Sequence, residues 1–150
     1  MKKYLLPSFF ILVPLFAVES DITAYHREMF GAVEFNRHGV AQIVTREGWV
    51  AINRRQQILY RPFLFDNGPD YVQEGLRRFV EGGKLGFVDE AGKKIIPAQF
   101  DFVYPFENGQ AEFCIGCKML RSGEHAAPDR ASGKWGKVNK QGKVVYIERK

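Results

Sequence analysis

From Val40 to Tyr146 the chain alternates apolar and polar residues in short runs, each closed by a turn that contains glycine or asparagine. Alternation of period two predicts half-buried strands. The clearest run is Lys84-Leu85-Gly86-Phe87-Val88-Asp89, followed by Glu90-Ala91-Gly92 and then Lys93-Lys94-Ile95-Ile96-Pro97. Asp89 to Gly92 has the form of a hairpin loop, in which an acidic or amide residue opens a type I turn and glycine accepts positive φ at its end. Asn139 to Gly142 has the same form. Pro97, with no N–H to donate, is expected to end pairing.

The pattern recurs. Lys134-Trp135-Gly136-Lys137-Val138-Asn139, then Gly142-Lys143-Val144-Val145-Tyr146, matches the run at 84–97, and a degenerate copy begins at Gly48-Trp49-Val50-Ala51-Ile52-Asn53. Trp49, Leu85 and Trp135 fall in one column, then Ile52, Val88 and Val138, then Asn53, Asp89 and Asn139. A second shared segment lies between these hairpins. Its best copy is Phe100-Asp101-Phe102-Val103 with Phe106 to Phe113, an earlier one joins Phe30-Gly31-Ala32-Val33 to Gly39-Val40-Ala41, and Glu74 to Val80 is a partial one. Asn108-Gly109, Glu74-Gly75 and Arg37-His38-Gly39 mark the turn before each returning strand. Trp49 and Leu85 are 36 residues apart and Leu85 and Trp135 are 50 apart, so the last interval holds an insertion at about 116–132. Self-similarity at such a period predicts a serial array in which each unit covers its neighbour's apolar side. Gly86 and Gly136 follow the large apolar anchor, where a missing side chain admits a neighbouring ring or backbone. A helical reading of Asp70 to Phe79 competes, with Val72, Leu76 and Phe79 at helical spacing. Gly75 inside it costs about 1 kcal/mol, and strand from Leu76 is favoured.

Lys134-Trp135-Gly136-x-Val138-Asn139-x-x-Gly142-Lys143-Val144-Val145 resembles the bacterial WG repeat, and so does Leu85-Gly86-Phe87-Val88-Asp89-x-x-Gly92-Lys93 through Phe100-Asp101. The resemblance extends from about Tyr25 to Ile147. It implies an all-β, non-enzymatic repeat module of a kind commonly exported or surface-associated, and leaves the partner open. Leu85 stands where the family has Trp, Val50-Ala51 where it has Gly-Phe, and Gln56 where it has the turn glycine, so the first copy reads as a capping or decayed unit. The expected fold is an open array of about three WG-like repeats of antiparallel β-hairpins. Copies lie near 30–60, 71–97 and 100–147, in a domain spanning 21–150.

The N-terminus reads differently. Met1-Lys2-Lys3 is basic, and Tyr4 to Val18 carries no charge. As a helix these residues would reach about 22 Å, short of the roughly 30 Å hydrocarbon core. Pro7 and Pro14 interrupt it. Residues 1–20 are therefore expected to be a secretory signal peptide cut after Ala17 or Ser20, an uncleaved anchor being the alternative. The mature protein would then be periplasmic or extracellular, with no transmembrane segment left. Loss of Lys2, Lys3 and Glu19 takes the 22 basic and 17 acidic side chains to 20 and 16, a net charge of +4. Basic residues are scattered or paired, as in Arg54-Arg55, Arg77-Arg78 and Lys93-Lys94, without the clustered stripe of a nucleic-acid footprint.

Candidate chemistry is sparse. In an oxidising compartment Cys114-Ile115-Gly116-Cys117 points to a local disulfide, for which Gly116 must bend the chain, since positions three apart on a strand lie about 10 Å apart. The alternative is a thiol-disulfide or metal-binding activity centred on Cys114, Cys117 and His125, with Glu124 or Asp129 as a fourth ligand. His26 and His38 stand alone. No Gly-x-Ser-x-Gly surrounds Ser122 or Ser132, and no glycine-rich loop precedes a helix, so neither catalysis nor a cofactor is expected. Asp66, Asp70, Asp89 and Asp101 are expected at turns. Trp49 and Trp135 read as core anchors. Phe63, Phe65 and Tyr71, in an irregular segment with Pro62 and Pro69, form a candidate partner patch, the partner being an unidentified protein or envelope component.

Overall fold

Among the described residues, four turns share one hydrogen-bond pattern, and they set the frame of the molecule. In each, Oδ1 of an opening Asn or Asp accepts from the N–H groups two and four residues on, at 2.9–3.1 Å: Asn36, Asn53, Asp89 and Asn139. The residue three positions on has left-handed φ, and it is Gly39, Gln56, Gly92 or Gly142. Gln56 adopts φ 61° without being glycine, a strain of about 1–2 kcal/mol that the surrounding bonds sustain. Arg37-His38-Gly39, expected to match Asn108-Gly109, belongs instead with Asp89 to Gly92. Its Asn36 was the missed signal. Glu74-Gly75 and Asn108-Gly109 do match each other, as two-residue turns with both central residues at positive φ.

The computed structural model describes residues 20–123 and 125–148. The expected signal peptide therefore lies, Ser20 apart, outside the described residues, as does Glu124. The chain enters on helix α1 (Ala24–Phe30). The first unit is β1 (Val40–Thr45), β2 (Gly48–Asn53) and β3 (Ile58–Pro62), followed by a small hairpin of β4 (Leu64–Phe65) and β5 (Gly68–Pro69). The second unit is β6 (Leu76–Glu81), β7 (Lys84–Asp89) and β8 (Lys94–Phe100), which continues after a bend at Asp101 as β9 (Phe102–Val103). The third is β10 (Gln110–Ile115), an inserted hairpin of β11 (Met119–Ser122) and β12 (His125–Pro128), then β13 (Lys134–Asn139) and β14 (Val144–Tyr146). All pairs are antiparallel. The six-stranded sheet runs β1-β2-β3-β6-β7-β8, and the four-stranded sheet β14-β13-β10-β9.

Units join when the third strand of one pairs with the first strand of the next. Arg61 and Pro62 of β3 oppose Val80 and Phe79 of β6, and Phe102 and Val103 of β9 oppose Cys114 and Phe113 of β10. Burial follows the same serial logic. Phe79 and Val88 pack on Val40, Ala51 and Tyr60 of the preceding unit, while Phe113 and Val138 pack on Leu76, Phe87 and Ile96. The corresponding residues of the first unit, Ile43 and Ile52, are covered by Ile22, Val33 and Phe35. The segment before β1 thus substitutes for a preceding unit.

Three expectations are corrected here. Phe30 begins no strand: it closes helix α1, a seven-residue helix with no side-chain cap. The helix covers the outer margin of β1, where the Val44 N–H donates to Nδ1 of the buried His26 at 3.1 Å. That bond requires an unprotonated nitrogen, and burial pushes the His26 imidazole below its ordinary value of 6.5. Pro97 does not end β8. It sits exposed in mid-strand at the margin of the six-stranded sheet, where a missing N–H breaks no ladder. Trp49 is half-buried instead of a core anchor, packing on the rings of Phe30 and His26. Leu85 and Trp135 are buried as expected.

Candidate functional site

The four named Asp residues are deployed in unlike ways. Asp89 opens a turn, as expected. Asp70 is buried at 3% exposure against Arg78, also at 3%. Arg78 Nε and Nη2 donate to the two Asp70 carboxylate oxygens at 2.8 Å each, and Nη1 donates to the Val103 carbonyl at 3.0 Å. The guanidinium also lies 4.4 Å from the ring centroid of Phe63. A buried arginine needs this satisfaction, because the desolvation of each ion is worth several kcal/mol. The bond network fixes both ends of the β4–β5 hairpin: the Phe63 N–H donates to the Arg78 carbonyl, and the Asp70 N–H to the Phe63 carbonyl.

The candidate patch on that hairpin therefore divides. Phe63 is half-buried against the core and against Phe102. Phe65 and Tyr71 are exposed at 53% and 60%, with ring centroids 6.4 Å apart, and their chain neighbours Leu64 and Val72 are exposed as well. Leu64 and Val72 are exposed residues that sequence reasoning omitted. The turn of the hairpin is Asp66-Asn67, both at positive φ.

Cys114 and Cys117 form a disulfide with Cα atoms 5.9 Å apart. Gly116, at φ 70°, supplies the bend. With both sulfurs bonded to each other, the pair cannot ligate a metal as thiolates, and His125 lies exposed on β12. Among the described residues no group of three or more His, Cys, Asp or Glu side chains converges on one point. Asp101 ties the same corner to the preceding unit: it pairs with Lys84 and accepts from the Gly116 N–H at 2.5 Å. The hydrogen bond from Lys84, and next the one from Gly116, hold the Asp101 carboxyl below the usual carboxylate range. Replacing Cys114 and Cys117 by Ser is expected to lower stability by about 1–2 kcal/mol, the chain-entropy value for so short a loop. Denaturation with and without reductant checks this: reductant should shift the parent and leave the double variant unmoved.

The insertion at 116–133 replaces a two-residue loop. Arg46-Glu47 and Gly82-Gly83 occupy the same corner in the first two units. From it Arg130 reaches back over the Trp135 ring at 4.4 Å and pairs with Glu112, while Trp135 Nε1 donates to the Ser132 carbonyl at 2.9 Å. The insertion and the disulfide together cover Cys114 and Trp135 on the outward side of the last unit.

Gly86 and Gly136 sit where sequence placed them, each under a ring. A Cβ at Gly86 would come 2.7 Å from Phe79 Cε1 and 2.5 Å from the Ile96 carbonyl, and one at Gly136 2.6 Å from Phe113 Cζ. In the first unit Val50 opposes Ile43, a smaller partner, so the glycine is dispensable. A Cβ at Gly92 would meet Leu59 at 2.7 Å, whereas Gly142 faces open space.

Repeated three-strand units, each with an Asn or Asp turn between its second and third strands and joined third strand to first, define a serial β-hairpin array. The family model described as "WG containing repeat" matches residues 86–116, from the second strand of the middle unit to the end of β10, so that stretch is similar to a WG-containing repeat. No curated protein and no solved structure matches the chain.

Proposed function

We propose that the protein is a non-catalytic binding module, exported to the periplasm or cell exterior, that engages a protein or envelope component through the Phe65–Tyr71 surface. The single observation that carries this reading is the exposed Phe65–Tyr71 ring pair, held on a pinned hairpin. Leu64, Phe65, Tyr71 and Val72 are exposed while the Arg78–Asp70 pair beneath them is buried. Rigid aromatic side chains lose little entropy on binding and supply large contact area, which suits them to anchor a partner. The leader-like pattern of residues 1–20 and the Cys114–Cys117 disulfide support an oxidising compartment. No helix among the described residues is long and apolar enough to cross a membrane.

Placing a photo-crosslinking phenylalanine analogue at position 65 should give discrete adducts in an envelope preparation, and placing it at exposed Arg55 should give none. The pair Phe65→Ser and Tyr71→Ser should abolish the adducts of a probe at position 71 or 65 respectively, while stability stays within about 0.5 kcal/mol of the parent. Adducts equally abundant from both probe positions would defeat the assignment.

A further inference from the structure

Each internal unit has an outward side that receives the next unit. Its columns can be followed down the array by register: Val40, Leu76 and Gln110 in one, Ala51, Phe87 and Lys137 in the next. In the first two units these positions are buried and apolar. In the third they are Gln110 and Lys137, so the last outward side is not built for another unit of the same kind. It is a groove of about 340 Å³ lined by Gln110, Lys137, Asn139, Lys143, Val145 and Ile147.

Two further properties set this end apart. The first is an open ladder. β3 pairs onward with β6, and β9 onward with β10, but among the described residues β14 is bonded on one side alone. The Ile147 N–H donates to the Trp135 carbonyl at 2.8 Å, so by the alternation of antiparallel pairing the Tyr146 N–H and carbonyl face away from β13. The opposite margin of the array, at β1, is covered by helix α1. Natural edges are usually blunted by a charge or a proline within the strand. Here Val144, Val145, Tyr146 and Ile147 follow in succession, exposed at 36%, 63%, 51% and 46%. The second is charge. Lys134, Lys137, Lys140 and Lys143 occur with no acidic residue between Lys134 and Ile147, and none of them takes part in an ion pair among the described residues. Glu112, which opposes Lys137 in register, is engaged by Arg130. A purely solubilising end would be polar throughout, whereas this one surrounds two exposed aliphatic side chains with lysines.

We propose that the margin of β14 is a docking edge for an extended, acidic segment of a partner protein, which adds as the next strand of the four-stranded sheet. Main-chain bonds to Tyr146 would hold it, and residues two apart on one face of the added strand would set apolar side chains on Val145 and Ile147 and carboxylates at Lys137 and Lys143, which share that face. This is strand addition, in which backbone bonds supply affinity and alternate side chains supply specificity. It is independent of the Phe65–Tyr71 surface, and either could fail without the other.

The test uses the full chain and two fluorescent heptapeptides whose odd positions share one face and carry Val and Glu in one peptide and Val and Lys in the other, both with Thr at the even positions. Anisotropy should show the Glu peptide binding at least about tenfold more tightly at low salt, with the gap narrowing near 0.5 M salt as screening shortens the reach of the lysines. Tyr146→Pro, which deletes the outward N–H, should abolish binding, and Tyr146→Phe should retain it. Lys137→Glu with Lys143→Glu, both at exposed positions, should reverse the preference between the peptides and does not depend on the fold tolerating proline. Equal binding of the two peptides, unchanged binding by Tyr146→Pro, a dimer that Tyr146→Pro dissolves, or adsorption to anionic vesicles in place of peptide binding would each overturn the proposal.

Discussion

Arg78→Ala is expected to destabilise the fold by about 3–5 kcal/mol, the cost of leaving a buried charge without its partner. Asp70 would keep its carboxylate at 3% exposure while losing both guanidinium bonds. The Val103 carbonyl would lose its donor, and Phe63 the cation over its face. The loss spreads from the hairpin after the first unit to β6 and β9 of the second, because residues 70, 78 and 103 meet at that one guanidinium. Chemical denaturation at neutral pH measures it, and a change below about 1 kcal/mol would show the pair to be dispensable. Replacing both partners, Arg78→Met with Asp70→Leu, should recover a large part of the loss, since apolar residues of similar volume carry no desolvation penalty. The two results separate the worth of the pair from the penalty of orphaning one member.

The second large effect concerns Gly86. Gly86→Val is expected to cost about 3 kcal/mol, at the upper end for overpacking, because the new side chain meets both the Phe79 ring and the backbone of Ile96 and Ala98. The first unit contains the natural compensation, Val50 opposite Ile43. Combining Gly86→Val with Phe79→Ile should therefore recover part of the stability. Recovery stays partial because the Ile96 carbonyl and the Ala98 N–H still lie within 2.7 Å of the added Cβ. Thermal melts of the single and double variants give the coupling. Additive losses would mean that the ring and the glycine are not partners.

These two sites also mark where sequence reading succeeds and where it stops. Gly86 and Gly136 were legible because each follows an anchor residue in a repeated pattern and each lies in a strand, where a missing side chain signals close approach. The Asn53, Asp89 and Asn139 turns were legible because their hydrogen bonds are local, spanning no more than four residues. The Arg78–Asp70 pair was not legible. Its members belong to a paired dipeptide and a loop, and only the juxtaposition of β6 with the β4–β5 hairpin buries them. Helix α1 was missed because seven residues without a cap do not hold a helix alone; the margin of β1 and the bond to His26 hold it. For the candidate site, the cysteine pair and the exposed Phe65 and Tyr71 were readable from residue type and context. The polar substitution of the last outward side was not, because Gln110 and Lys137 become exceptional only once register aligns them with Leu76 and Phe87.

The corner between the first two strands of each unit has a consequence of its own. It holds Arg46-Glu47, then Gly82-Gly83, then the whole segment 116–133, while the flanking ladders keep the same register in all three units. Strand alignment is thus the same whatever length of chain closes the corner, and closing a longer loop raises the entropic cost only slowly with length. Foreign peptides spliced between Gly82 and Gly83 should consequently be displayed without shifting the scaffold, which makes this position a natural point of growth for new binding specificities.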